Sequence, residues 1–214
     1  MISILKKKLF RLIKKKSSKE IEYFNRHKNY DDYINKQKEK TNNPKKIKIW
    51  KEDQWEEKVK GFENLFNRNK AYVNNKKKAI CFGARTGQEV FVLKNLGLDA
   101  IGVDLVSFPP YTIQGDIHNV PFGKGEFDLV FTNIIDHSLN VEKFISEMER
   151  VCKKKGNIII NILINHDEVD DYAENQINNA LVIIKMFKNS KLVEERQIKN
   201  TFDMLNYEII FQKN

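Results

Sequence analysis

The sequence predicts an α/β protein: a doubly wound, mostly parallel sheet of seven strands, with an antiparallel last strand and a helical extension at the N-terminus. Three observations carry that expectation. A strand–glycine turn–helix–strand unit occupies residues 78–104. Two further strand-like runs, 127–132 and 157–164, flank a helical stretch at 141–152. The chain then ends on two runs, 192–199 and 207–212, joined by a short connection, so the last strand enters the sheet antiparallel.

The unit at 78–104 organises the rest. Ala79, Ile80, Cys81 and Phe82 form an apolar run too brief for a helix and bounded by Gly83, which reads as a buried strand. Gly83 and Gly87 bracket a tight turn where a ligand could approach the backbone without meeting a Cβ. Val90, Val92, Leu93 and Leu96 then suit a helix, and Gly97 closes it. Residues 100–103 form a second buried strand with Asp104 at its C-terminal end. A helix opening at a glycine turn offers N–H groups and partial positive charge to a carboxylate or phosphate. An acid at the second strand tip, about 20 residues past the first glycine, can take both hydroxyls of a ribose. A nucleoside-bearing ligand is therefore expected. A dinucleotide fingerprint would need glycines at 83, 85 and 88, where this chain has Gly83, Arg85 and Gln88, so NAD and FAD are disfavoured.

The run KAICFGARTGQEVFVLKNLGLDAIGVD (78–104) resembles motif I and the following acidic strand of class I S-adenosylmethionine-dependent methyltransferases. GDIHNVPFGKGEFDLVFTNIIDHSLNVEKFISEMERVCKKKGNIII (115–160) is similar to the rest of the type-11 methyltransferase pattern. The wording GARTGQEV is particularly similar to a group of poorly characterised methyltransferase-like proteins, plant ones among them. The likeness runs from residue 78 to the C-terminus. It implies a Rossmann-like methyltransferase fold and S-adenosyl-L-methionine as cofactor, held through Gly83, Ala84, Arg85, Thr86, Gly87, Asp104 and Leu105. It also implies that Asp116 takes the adenine amine, that Ile117 packs against the base, and that the Asn133 region faces the sulfur.

Two positions depart from the pattern. Many relatives carry an acid where Cys81 stands, and the central glycine of the turn is Arg85, whose guanidinium could pair with the methionine carboxylate or point into solvent. The fourth-strand tip reads TNII rather than asparagine-proline-proline-aromatic, which argues against N6-adenine methylation. Methyl transfer from a sulfonium is a displacement served mainly by positioning. A general base helps with a hydroxyl acceptor, and His137 with Asp136 is the best-placed candidate; the alternative is that the histidine only shapes the pocket. His118 reads as a loop residue beside the adenine. His166 and Asp167 could line the acceptor site.

The chain has 214 residues, room for one sizeable domain plus an appendage, here a basic helical extension over 1–77 and a methyltransferase domain over 78–214. The formal charge of +9 is uneven. Residues 1–78 hold 24 Lys/Arg against 10 Asp/Glu, net +14, and residues 79–214 hold 14 against 19, net −5. An AT-rich coding sequence would supply much of the same Lys, Asn and Ile bias. The two cysteines, Cys81 and Cys152, make no metal or redox spacing. No apolar run approaches the ~20 residues of a membrane span, and lysines interrupt the N-terminal apolar positions, so no cleavable signal is read. A cytoplasmic location is expected, peripheral to a membrane if the first helix meets one.

Residues 1–16 place Ile2, Leu5, Leu9, Leu12 and Ile13 on one helical face and lysines on the other. Such a stripe suits packing on the catalytic domain, a membrane surface or, less readily, nucleic acid. Residues 20–40 read as a helix and 41–44 as a turn. Trp55, Val59, Phe62 and Phe66 make a core-facing stripe in a helix over 52–67. Tyr30, Tyr33, Trp50 and Trp55 are alternatives for capping a ligand pocket. Between Asp104 and the third strand (111–115), Pro109-Pro110 forbids a helix. Residues 153–156 read as a turn, and 169–188 as a helix weakened by Asn178 and Asn179.

Three functions follow as expectations: a methyltransferase acting on a small-molecule or glycan acceptor, a nucleic-acid methyltransferase, or a catalytically silent binding module of the same fold. No metal is expected in any of them.

Overall fold

The structure, a computed structural model, describes residues 20–166, 171–199 and 204–214. The stripe at 1–16 and Asp167 lie outside the described residues.

The chain enters through a short strand, β1 (Ile21–Tyr23), and helices α1 (Tyr30–Thr41) and α2 (Pro44–Lys48). A π-helical turn (Ile49–Asp53) leads into α3 (Trp55–Arg68) and the single turn α4 (Lys70–Val73). The helix starts are written in the sequence. The Asn29 side chain accepts from the Asp32 N–H at the head of α1, and Asn43 caps α2, where Pro44 stands at the first turn. The helix expected over 20–40 is thus only partly formed. Its first residues instead make β1, paired antiparallel with β7 (Asn175–Ile177).

The main sheet contains β2 (Lys78–Phe82), β3 (Asp99–Asp104), β4 (Thr112–Gln114), β5 (Phe127–Thr132), β6 (Cys152–Ile162), β8 (Ser190–Gln197) and β9 (Tyr207–Lys213). The order is β4-β3-β2-β5-β6-β9-β8, with β9 antiparallel to both neighbours. This is the doubly wound, mostly parallel, seven-stranded sheet with an antiparallel last strand that the sequence predicts. Helices α5 (Gln88–Asn95), α6 (Val141–Val151) and α7 (Ala180–Met186) complete it.

Alternation along the strands builds two cores. On one face Ile80, Phe82, Val130, Ile158 and Ile160 pack with Phe144 and Met148 of α6 and Ile183 of α7. On the other, Ala79, Cys81, Leu129, Phe131 and Ile159 pack with Val90 and Leu93 of α5 and with Val59, Phe62 and Phe66 of α3. Each of these fully buried phenylalanines is worth about 1.5–3 kcal/mol over its exposed state. The N-terminal cap therefore shares a hydrophobic core with the sheet.

Two further expectations change. The turn placed at 153–156 is part of β6, which begins at Cys152 and takes up a register shift opposite Phe127 and Leu129. Of the helix expected over 169–188, the described residues 171–188 form only α7, preceded by strand β7. Asn179 begins α7, its side chain accepting from the Leu181 N–H, because a short amide is better used as a cap than inside a helix.

Candidate functional site

Beyond the C-terminal ends of β2, β3 and β5 lie two adjoining cavities. The smaller, of about 60 Å³, is lined by Asp104, Leu105, Asp116 and Ile117 from the sheet and by Tyr33, Gln37, Lys40 and Thr41 from α1. The larger, of about 630 Å³, is lined by the glycine turn from Gly83 to Thr86, by Asn133, Ile134, Asp136 and His137, and by Trp50, Lys46, Lys58 and Phe62 of the cap. Gly83, Arg85, Ile134, His137 and Lys40 border both.

The glycine turn is built by strict local requirements. Gly83 (φ +71°) and Gly87 (φ +85°) occupy backbone regions that favour glycine. A Cβ at Gly83 would sit 2.4 Å from Cγ1 of Ile134, and one at Gly87 would sit 2.3 Å from Cβ of Tyr111. Ile134 and Tyr111 thus occupy the space a Cβ would take; Gly83 still lines both cavities, whereas Gly87 lines neither. Arg85 also has a positive φ, 44°. Its N–H donates to Oδ2 of Asp104 at 2.9 Å, and its guanidinium lies 4.3 Å from the centre of the Trp50 ring, so it is held at the cavity wall rather than in solvent. Burial pushes the Asp104 carboxyl above its usual range, against the pull of Arg85.

Asp116 is held from three sides. Tyr30 donates to Oδ2 at 2.5 Å, and the His118 N–H donates to Oδ1 at 2.8 Å. The backbone N–H of Asn140 donates to Nε2 of His118, which places the ring proton on Nδ1, 3.0 Å from Oδ1 of Asp116. Burial pushes this carboxyl up, but the bonds from His118 and Tyr30 outweigh it and hold it at about 2. Ser138 Oγ lies 2.9 Å from Nε2 of His118, so serine, histidine and aspartate stand in a line like a nucleophilic relay. Ser138 is 0% exposed, so no substrate reaches its oxygen. The row orients Asp116.

His137 sits on a 3-10 turn (Ile135–His137) after β5. Its Nδ1 lies 2.9 Å from the Tyr172 carbonyl, which can only accept, so in the neutral ring the proton is on Nδ1 and Nε2 carries the lone pair. Nε2 is 3.9 Å from Asp136, too far for a hydrogen bond. His166 lines the larger cavity. Of the cap aromatics, Tyr33 and Trp50 line the site and Tyr30 binds Asp116, whereas Trp55 packs on Phe91 and Tyr111 in the core.

The sequence reading missed five contributors to the larger cavity. Lys40, Lys46 and Lys58 line the larger cavity, and Tyr172 is ringed by the ammonium groups of Lys36, Lys40 and Lys46 at 5.6, 4.8 and 4.3 Å. Glu89, on the first turn of α5, also lines the larger cavity while only 4% exposed. An acid in a first helical turn ordinarily serves the helix dipole at the surface. The apolar residues around it, Val90, Val92 and Leu93, were the signal that this turn is buried.

Residues 80–160 match the family model of a methyltransferase domain. Over those residues the chain is similar to methyltransferase domains. Over 90 residues it is 32% identical to an uncharacterized methyltransferase of Synechocystis sp., an alignment covering 36% of this chain and 42% of that protein. The match spans less than half the length of that relative. Among solved structures, the PH0226 protein of Pyrococcus horikoshii OT3 superposes with a TM-score of 0.60 at 16% identity, covering 81% of this chain and 93% of that one. The 1,6-didemethyltoxoflavin-N1-methyltransferase of Burkholderia thailandensis, with bound 1,6-didemethyltoxoflavin and S-adenosylhomocysteine, superposes with a TM-score of 0.61 at 10% identity over 86% of each chain. At such identities the likeness is one of fold. Among the described residues no helix is long and apolar enough to cross a membrane.

Proposed function

We propose that the chain is an S-adenosylmethionine-dependent methyltransferase whose acceptor is a small molecule, a sugar unit included, bound in the larger cavity. The observation that carries this reading is the pair of adjoining cavities beyond the strand ends, one bordered by two acids and the other by a glycine turn and a histidine. The residues fit the cofactor's chemistry. Asp104 offers carboxylate oxygens to ribose hydroxyls, and Asp116 offers an acceptor to the adenine amine beside the apolar Ile117. When bound, the cofactor supplies an electrophilic methyl group on a sulfonium.

The chain's own part is to position and to move a proton. Trp50, Phe62 and Ile134 give the larger cavity apolar walls, and alignment of two bound reactants supplies much of the rate. The Tyr172 carbonyl holds His137 with its Nε2 lone pair available to withdraw a proton from an acceptor hydroxyl or amine. The cap lysines bring positive charge to the cavity itself, which favours a small acceptor carrying a negative group over a nucleic-acid strand laid along the surface.

Calorimetry on the full chain with S-adenosylmethionine and S-adenosylhomocysteine tests the reading. Saturable binding of both is expected. Binding of neither leaves only the silent-module alternative.

A further inference from the structure

We propose that Glu89 receives the α-ammonium group of the cofactor's methionine tail, and that cofactor binding therefore releases a proton from this side chain. The proposal rests on the cofactor reading above. Glu89 stands on the first turn of α5, immediately beyond the glycine turn, and lines the larger cavity beside Ala84, Arg85 and Thr86 although it is only 4% exposed. A carboxyl withdrawn from water yet facing a cavity gives a cation that enters the cavity a charge-assisted hydrogen bond at the wall.

The groups around it come from every neighbouring element: Lys58 from α3, Arg85 from the turn, Asp104 from β3, and the Cys81 thiol from β2, whose acidity is lowered by burial and then by Glu89 itself. Burial pushes the Glu89 carboxyl up to about 8; Lys58 and Arg85 work against that shift and Asp104 adds to it. Burial thus biases Glu89 towards the neutral acid until a cation lies against it. An arriving ammonium forms a charge-assisted hydrogen bond to the carboxylate, and the displaced proton leaves to solvent. Asp136 and Asp171 also line the larger cavity, while Asp104 borders the smaller one and already accepts from the Arg85 and Val106 N–H groups, which commits it to the turn and the ribose side.

The test compares two ligands that share the adenosine and the sulfur. S-Adenosylhomocysteine carries the amino-acid tail, and 5′-methylthioadenosine ends in a methyl group. Both are titrated by calorimetry at pH 7 into the wild-type chain and into Glu89→Gln, which is isosteric with the neutral acid. The variant is expected to bind 5′-methylthioadenosine like the wild type and S-adenosylhomocysteine at least about tenfold more weakly. The wild type should release protons on binding S-adenosylhomocysteine, read as an enthalpy that differs between phosphate and Tris buffers, and the variant should not. Glu89→Asp, with a shorter reach, should show the same selective loss and serves if the glutamine variant does not fold. Unchanged affinity for S-adenosylhomocysteine in Glu89→Gln, or an equal loss of both ligands, overturns the proposal. A wild type that binds neither compound overturns the cofactor reading, and this inference with it.

Discussion

The Tyr30 hydroxyl and the Asp116 carboxylate, 86 residues apart in the chain, meet in a 2.5 Å hydrogen bond that ties the N-terminal cap to the acid just past β4. That bond and those from His118 hold Asp116 at about 2, below the ~3.9 of a free aspartate. A carboxyl depressed in the folded state adds stability above its unfolded value and loses it as pH falls through the folded one. The contribution should be full above about pH 4 and vanish towards pH 2, amounting to at most about 2 kcal/mol at this half-buried site. Urea midpoints measured from pH 5 to pH 2 should fall more steeply for the wild type than for Asp116→Asn. Tyr30→Phe should lie between the two. Parallel curves for all three proteins would show that the contact contributes nothing.

Gly83 and Ile134 define a second test. Gly83→Ala must adopt a left-handed φ and also place its Cβ 2.4 Å from the isoleucine. We expect a cost of about 2–4 kcal/mol, the sum of backbone strain and overpacking. Ile134→Ala removes the collision but not the φ, so in the double variant about half the penalty should return as a favourable coupling. Denaturation of the four proteins gives the cycle, and strict additivity would mean that the collision is relieved elsewhere.

His137 bears on the chemistry. With Nδ1 committed to the Tyr172 carbonyl, only Nε2 can accept a proton. His137→Ala should leave S-adenosylhomocysteine affinity within about twofold while slowing methyl transfer by about 10²–10⁴-fold. Transfer of a labelled methyl group from the cofactor into a small-molecule cell extract measures the rate. Added imidazole should restore part of it. An undiminished rate in the alanine variant would reduce the histidine to a wall of the cavity.

Much of this arrangement was legible in the sequence where the signal is local. The run Ala79–Ile80–Cys81–Phe82 alternates between two cores and ends on a glycine whose φ the turn demands, so strand, turn and strand-tip acid could be read together. The three-residue strands β1 and β7 could not. Their sequences, IEY and NQI, carry no distinctive composition, and each becomes a strand only because the other, more than 150 residues away, supplies its hydrogen bonds. The same limit hid the site's long-range members. A lysine on a basic helix reads as solvated charge until the fold turns Lys40 and Lys46 onto a cavity, and Glu89 reads as a dipole partner until α3 covers it.

The cap is fastened to the sheet through Glu208, and this gives the last prediction. Glu208 of β9 is 0% exposed, and its carboxylate accepts from Arg68 and Asn69 at the end of α3, from Asn161 of β6 and from Arg196 of β8. Burial pushes its carboxyl up, but Arg68, Asn161 and Asn69 together hold it below the usual range. Removing the charge while leaving both arginines strands them beside an empty, dry space. Glu208→Ala should therefore cost about 3 kcal/mol, somewhat below the full value for a buried pair because both arginines are partly exposed. Glu208→Gln keeps the shape and one acceptor and should cost about half as much. Because Arg68 and Asn69 end the helix whose Phe62 lines the cavity, the alanine variant should also loosen the cap. S-Adenosylhomocysteine affinity measured below the variant's unfolding midpoint should fall together with stability. A variant that loses stability while binding the ligand as the wild type does would show that the cap's attachment and the site are independent.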